Sequence, residues 1–251
     1  VHAAAYRVLG LDWDYGRAEV DEDGLAAFLG GLGPEWRGLS LTMPLKRRVV
    51  ELVSEVDDVA RRTRQGNTIL IDRGRAVKAF NTDVHGIRAA LGSAGVTTAR
   101  SATVLGGGAT AESAVEAAAA MGATVTVAVR DVAKVRASGI FAAHRVVGLG
   151  PDTDAALAIS DVAISTIPPR AEFPFALDAL RPEQTLLDVA YSPWPTPLAA
   201  QWHRSGGRVV HGLEMLLHQA VHQIRIFVTG DAASELPDEA EVIKAMRFAM
   251  E

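Results

Sequence analysis

The sequence predicts an α/β protein built on parallel sheets with helices on both faces. Two observations predict it. Strand-like apolar runs alternate with helical segments along most of the chain, and such alternation selects parallel strands joined by crossover helices. One stretch also shows a complete unit. Thr103-Val104-Leu105 runs into Gly106-Gly107-Gly108, an alanine-rich helical segment follows over 112–121, Gly122 stops it, and 124–129 reads as a second strand. Strand, glycine turn, helix and strand in that order make a Rossmann-type dinucleotide-binding unit. The 251 residues suffice for two modest domains.

In chain order, residues 2–9 read as helix and 12–20 as extended, with Trp13 and Tyr15 inside. Residues 21–30 read as helix, with Asp21 or Asp23 as the cap. A short strand over 38–42 is closed by Met43-Pro44, and helix is expected over 45–59. Residues 68–71 and 76–80 read as two strands around the turn Asp72-Arg73-Gly74-Arg75. Asn81-Thr82-Asp83 leads into a helix over 85–92. Beyond the glycine-turn unit, a short helix is expected over 132–137 and strands over 146–148, 162–167, 185–190 and 208–210. Pro168-Pro169 and Pro193-Trp194-Pro195-Thr196-Pro197 read as punctuation. Helices over 213–227 and 237–250 close the chain.

Composition excludes several classes. A net charge of −5 argues against non-specific nucleic-acid binding, which runs on a cationic surface. With no cysteine, disulfides, thiol nucleophiles and cysteine metal sites are impossible. No apolar run is long enough to span a bilayer, and no signal-peptide pattern opens the chain, so a cytoplasmic location is expected. The chain opens in the middle of a helical pattern, so residues upstream of Val1 are expected to be absent from it.

Several residues carry chemistry. Gly106 suits the tight turn, and Gly108 lets a pyrophosphate approach N–H groups at a helix N-terminus; Ala111 stands where a third glycine often stands. Arg130 ends the second strand, where an NAD-type unit usually carries an acid for the ribose 2′-hydroxyl. A cation there suits a 2′-phosphate, although a strand-end arginine is also common on any surface. Lys134 lies one turn further and adds a second cation, while Asp131 sits where it can cap the helix between them. On spacing alone, Lys46 with Arg47 and Arg48 reads as a basic helix start, and Asn81-Thr82-Asp83 as a capping sequence. Met215, Gln219 and His222 fall on one helical stripe. Glu214, His218 and His222 have the four-residue spacing of a helical metal site, but no further ligand cluster accompanies them, and no metal is expected.

Taken together, these residues resemble the shikimate dehydrogenase family. The resemblance rests on Gly38-Leu39-Ser40-Leu41-Thr42-Met43-Pro44-Leu45-Lys46, Asn67-Thr68, Asn81-Thr82-Asp83 and Gly106-Gly107-Gly108-Ala109-Thr110-Ala111. It rests further on Asp188-Val189-Ala190-Tyr191-Ser192-Pro193-Trp194-Pro195-Thr196 and Gly212-Leu213-Glu214-Met215-Leu216-Leu217-His218-Gln219-Ala220. These motifs follow the family's order over nearly the whole chain.

The resemblance implies NADP-dependent interconversion of shikimate and 3-dehydroshikimate, a step toward aromatic amino acids, by a monomer or homodimer. It implies Lys46 as catalytic lysine and Asp83 as its partner, with Thr42, Asn67, Asp83 and Gln219 on the substrate and Tyr191 beside its ring. It assigns Gly106, Gly107, Gly108, Ala109 and Thr110 to the pyrophosphate, Arg130 and Lys134 to the adenosine phosphate, and Val189 and Gly212 to the nicotinamide end. Asp58 matches an acidic position linked to the cofactor. Two α/β domains facing a cleft are implied: 1–83 with 213–251 for substrate, and 84–212, Rossmann-type, for NADP.

This chain departs from the family in three places. The family opens with a strand and a Ser-x-Ser-Pro segment that binds the substrate carboxylate, whereas this chain begins just after it, so the first sheet is expected to lack a strand. Ser40 replaces a common asparagine. The phosphate loop reads Val129-Arg130-Asp131 in place of Asn-Arg-Thr. Two rival readings are a quinate/shikimate dehydrogenase that accepts NAD, and a catalytically silent NADP(H)-binding Rossmann protein.

Overall fold

The computed structural model describes residues 1–171, 177 and 180–250. The chain runs through α1 (His2–Val8), α2 (Leu25–Gly30), β1 (Gly38–Ser40), α3 (Leu45–Arg48), β2 (Glu55–Val56), α4 (Asp58–Thr63), β3 (Thr68–Asp72), β4 (Arg75–Phe80) and α5 (Asp83–Ser93). It continues through β5 (Ser101–Leu105), α6 (Ala109–Ala120), β6 (Thr124–Val129), α7 (Val132–Ser138), β7 (Arg145–Gly148), α8 (Pro151–Ile159) and β8 (Val162–Ser165). Last come β9 (Thr185–Asp188), α9 (Pro197–Arg204), β10 (Arg208–His211), α10 (Gly212–Thr229) and α11 (Glu239–Phe248). The elements form two compact units, one of residues 1–86 and 216–251 and one of residues 87–215. The divisions fall inside α5 and α10, a few residues beyond positions 83 and 212.

The first unit carries a four-stranded sheet in the order β1-β3-β4-β2. This sheet is not parallel throughout: β1/β3 and β3/β4 are antiparallel and only β2/β4 is parallel. The cause is local. Arg73 and Gly74 both take positive φ (48° and 75°), the conformation of a tight hairpin turn, and a hairpin can join only antiparallel strands. Leu25, Leu29, Leu45, Val49, Ile69, Ile71 and Ala79 form one core cluster of the unit. Elsewhere in the unit Tyr6 of α1, Leu217, Val221 and Ile224 of α10, and Val242 and Met246 of α11 pack together. At Gly38 the Phe227 ring comes so near that a Cβ would lie 2.2 Å from it, so glycine alone admits this approach of α10 to the sheet.

The single helix expected over 45–59 does not form. α3 ends at Arg48, a 3-10 turn follows over Val49–Glu51, and Glu55 and Val56 pair with Lys78 and Ala79 of β4. The run of valines (Val49, Val50, Val53, Val56, Val59) favours helix weakly, and a free sheet edge outweighs it. Asp57 then opens α4 by accepting a hydrogen bond from the Ala60 N–H at 2.6 Å.

The second unit is a six-stranded, wholly parallel sheet in the order β10-β9-β8-β5-β6-β7. The chain order reverses at β5, so the β5–α6 turn lies at a topological switch point, where open α/β sheets bind ligands. Leu105, Ala128, Val147, Leu157, Ala163, Leu186, Leu198 and Trp202 form a core cluster here. α8 and α9 have no counterpart in the sequence reading. Pro151 and Pro197 stand in their first turns, and Thr196 caps α9 by accepting from the Ala199 N–H at 3.0 Å. A proline in that position starts a helix as readily as it ends one. Among the described residues no helix is long and apolar enough to cross a membrane.

Candidate functional site

In the first unit, three loop ends and one helix bring distant polar residues together. Lys46 sits in the short α3, whose backbone is tied down by the Gly66 N–H donating to the Lys46 carbonyl at 2.8 Å. Asp83 opens α5, and its N–H donates to Asn81 Oδ1 at 3.0 Å, a local cap of the kind the sequence suggested. Lys46 Nζ donates to Asp83 Oδ2 at 2.6 Å, with the two side chains only 12% and 8% exposed. A pair this dry has little water to replace either partner. Removing one partner of such a pair strands the other, at a cost of about 3–5 kcal/mol.

Asn67, just before β3, orients the carboxylate from the other side. Its Nδ2 donates to Asp83 Oδ1 at 2.8 Å and reaches Gln219 Oε1 of α10 at 3.5 Å. The Asn67 side-chain oxygen is fixed by the Thr82 N–H at 2.9 Å, the Thr82 hydroxyl at 3.1 Å and the Thr68 hydroxyl at 2.9 Å. A second row lies behind. Gln223 Nε2 donates to Thr68 Oγ1 at 3.2 Å, and Gln223 Oε1 accepts from Ser40 Oγ at 2.9 Å and lies 3.1 Å from His2 Nε2. The His2 ring stacks on Tyr15 at 3.8 Å, and burial pushes its pKa down to about 4.

Lys46, Asp83, Asn67 and Gln219 therefore meet in one hydrogen-bonded cluster. An ammonium carries three donors and Asp83 engages one, so the pair can hold and exchange a proton with an oxygen placed beside it. Thr42 belongs to the same unit but is exposed on the β1–α3 loop, where its carbonyl accepts from the Leu45 N–H at 2.9 Å. Asp58 opens α4 and pairs with Arg61 at 2.5 Å on an exposed surface.

Thr68, Thr82 and Gln223 were not read from the sequence as site residues. Signals for them exist: Asn-Thr occurs twice, at the start of β3 and after β4, and Gln223 lies one helical turn from Gln219. His222 also finds a role apart from the spacing with Glu214 and His218. Its ring stacks on His85 of α5 with centroids 3.7 Å apart.

In the second unit, Gly106 takes φ +120°, and a Cβ there would come within 2.3 Å of Thr166 Oγ1. A Cβ on Gly107 would meet Val129 at 3.0 Å, whereas nothing lies within 4 Å of one on Gly108, the N-cap of α6. The turn is thus closed on the protein side and open over the N-terminus of α6, where Ala109 and Thr110 present their N–H groups. A helix start open in this way can accept an anion. Arg130 and Lys134 are exposed at the end of β6 and in α7. Asp131 between them caps α7, accepting from the Lys134 N–H at 2.9 Å, so its carboxylate is already engaged. Gly212 lies against Val189, whose carbonyl oxygen would be 2.4 Å from a Cβ there. Tyr191, after β9, is 51% exposed and belongs to this unit, not to the one that holds the Lys46 cluster.

Comparisons with known proteins find relatives over nearly the whole chain. Residues 1–69 match the family model described as shikimate dehydrogenase substrate binding domain. A shikimate dehydrogenase (NADP(+)) of Archaeoglobus fulgidus is 30% identical over 260 aligned residues, covering 99% of this chain and 93% of the relative. The crystal structure of Mycobacterium tuberculosis shikimate dehydrogenase is 37% identical with a TM-score of 0.82, over 99% of this chain and 92% of that one. The Thermus thermophilus shikimate 5-dehydrogenase, solved in complex with NADP(H) and shikimate, is 27% identical with a TM-score of 0.83 over the same shares.

Proposed function

The chain belongs to the shikimate dehydrogenase family, and we propose that it interconverts shikimate and 3-dehydroshikimate with NADP(H) through the Lys46–Asp83 pair. The observation that carries this reading is the 2.6 Å pair itself, buried and oriented by Asn67. NADP+ supplies the hydride acceptor when bound. The open turn over α6 would hold its pyrophosphate, Arg130 and Lys134 the 2′-phosphate, and Val189 and Gly212 the nicotinamide end.

The remaining work falls to the chain's own side chains. As the alcohol oxygen of shikimate becomes a carbonyl, its proton must leave. Lys46 in its neutral amine form accepts it and becomes the ammonium; in the reverse direction the ammonium returns the proton to the oxygen on which negative charge develops. Asp83 holds Lys46 in place and bonds the same part of the substrate. Asn67 and Gln219 supply polar atoms for the neighbouring hydroxyls, with Thr42 at the rim. A Lys46→Ala variant, followed by nicotinamide absorbance with shikimate, should lose turnover by roughly 10²–10⁴-fold while binding NADPH as before. Retained turnover removes Lys46 from the chemistry.

A further inference from the structure

Two half-buried rings outside the reacting cluster join the elements that carry it. His85 lies in the same turn of α5 as Asp83. His222 lies one turn beyond Gln219 on the same stripe of α10. Their rings stack with centroids 3.7 Å apart and planes 25° apart. His222 Nδ1 is buried without a hydrogen-bond partner, so that nitrogen adds nothing to holding the ring against His85. Burial pushes its pKa down to about 3, with His85 and Arg225 acting in the same sense, and Glu239 and Asp231 opposing. The His222 ring is therefore neutral near pH 7.

We propose that His85 and His222 are positioning residues: their stacked rings clamp the first turn of α5 to α10 and set the separation of Asp83 and Gln219 that Asn67 spans. The spacing is demanding, because one Asn67 amide nitrogen reaches both acceptors, at 2.8 Å and 3.5 Å. Loss of the clamp would let Gln219 drift from Asn67 and from the substrate hydroxyl it faces. The inference rests on the proposed role of this cluster, and its effect falls on the substrate side only.

The test compares His222→Ala with His222→Phe in the whole chain, with steady-state kinetics in both substrates. His222→Ala should raise KM for shikimate roughly tenfold or more while KM for NADP+ stays at the wild-type value, since small misplacements of positioning groups cost one to two orders of magnitude. His222→Phe keeps a flat ring against His85 and should recover most of that loss. An alanine variant with unchanged KM for shikimate overturns the inference, and so does a phenylalanine variant as impaired as the alanine one. Should His222→Ala fail to fold, His85→Ala and His85→Phe carry the same expectations. Absence of shikimate oxidation in the wild-type protein would instead sink the proposed function.

Discussion

The two units prepare their sites by opposite means. In the first, the candidate residues are side chains far apart in sequence (46, 67, 83 and 219), largely shielded from solvent and joined to one another by hydrogen bonds. In the second, the candidates are backbone groups of one short turn, together with two exposed cations a strand and a helix start away. The difference suits the tasks. A proton-transfer group has to be fixed by its neighbours, because its geometry decides the rate. A pyrophosphate needs only N–H groups at a helix start and enough room above them. The first unit is therefore sensitive to loss of partners, and the second to loss of space or charge.

The largest effect expected follows from this contrast. Lys46→Ala removes the proposed proton-transfer group and also leaves Asp83 buried without its cation. Its loss of turnover should exceed that of any change in the second unit. Equal or larger losses from the glycine turn would break the comparison.

Gly106→Ala comes next. The residue sits at φ +120°, and the added Cβ would press on Thr166 Oγ1, which already donates to the Leu105 carbonyl at 3.0 Å. Backbone strain of about 1–3 kcal/mol is expected, with displacement of the turn. NADPH affinity, read by fluorescence titration, should fall. KM for shikimate at saturating cofactor should stay at the wild-type value, because the Lys46 cluster contains nothing from this turn. A parallel loss on both sides would show that the two sites are not independently built.

Arg130→Ala should be milder. A charge-assisted hydrogen bond is worth about 1.5–3 kcal/mol, so the ratio of kcat/KM with NADP+ to that with NAD+ should fall by roughly ten- to a hundredfold. The neighbouring Asp131 caps α7 through one carboxylate oxygen but keeps its negative charge, so it offsets part of this preference. An unchanged ratio would leave the cofactor choice to groups other than Arg130.

The same contrast explains what could be read from the sequence. The glycine turn, the strands around it and the cap at Asp131 were legible because they are local: each is fixed by residues within a turn or two. Lys46 and Asp83 were legible only through the order of whole motifs, since each alone fits a basic helix start or a cap. The supporting row of Thr68, Thr82 and Gln223 was not legible, because what joins those residues to the cluster are contacts across 14 to 221 positions of chain. Two local readings failed for a related reason. The helix over 45–59 gave way to the pairing of Val56 with Ala79, and Thr196-Pro197, read as a break, opens a helix whose Trp202 is fully buried. In both cases tertiary partners outweighed local preference.

The smallest effect expected is a stability effect, and it belongs to the side-chain-built unit. His2 is buried between Tyr15 and Gln223, and the folded protein keeps it neutral down to about pH 4, against an ordinary value of 6.5. The unfolded chain protonates it first as the pH falls. Between those two values the unfolded state binds more protons, so the stabilisation is complete above about pH 6.5 and is lost progressively toward pH 4. The loss is about 1.4 kcal/mol for each pH unit inside that window. His2→Phe keeps a ring for Tyr15 and leaves Gln223 Oε1 the Ser40 hydroxyl, while removing the proton. Urea unfolding of both proteins across the window should show a shallower decline for the variant by that amount. If the two decline in parallel, the acid sensitivity of this unit comes from groups other than His2, with His222 the next to substitute, because it too is held well below its ordinary value, at about 3.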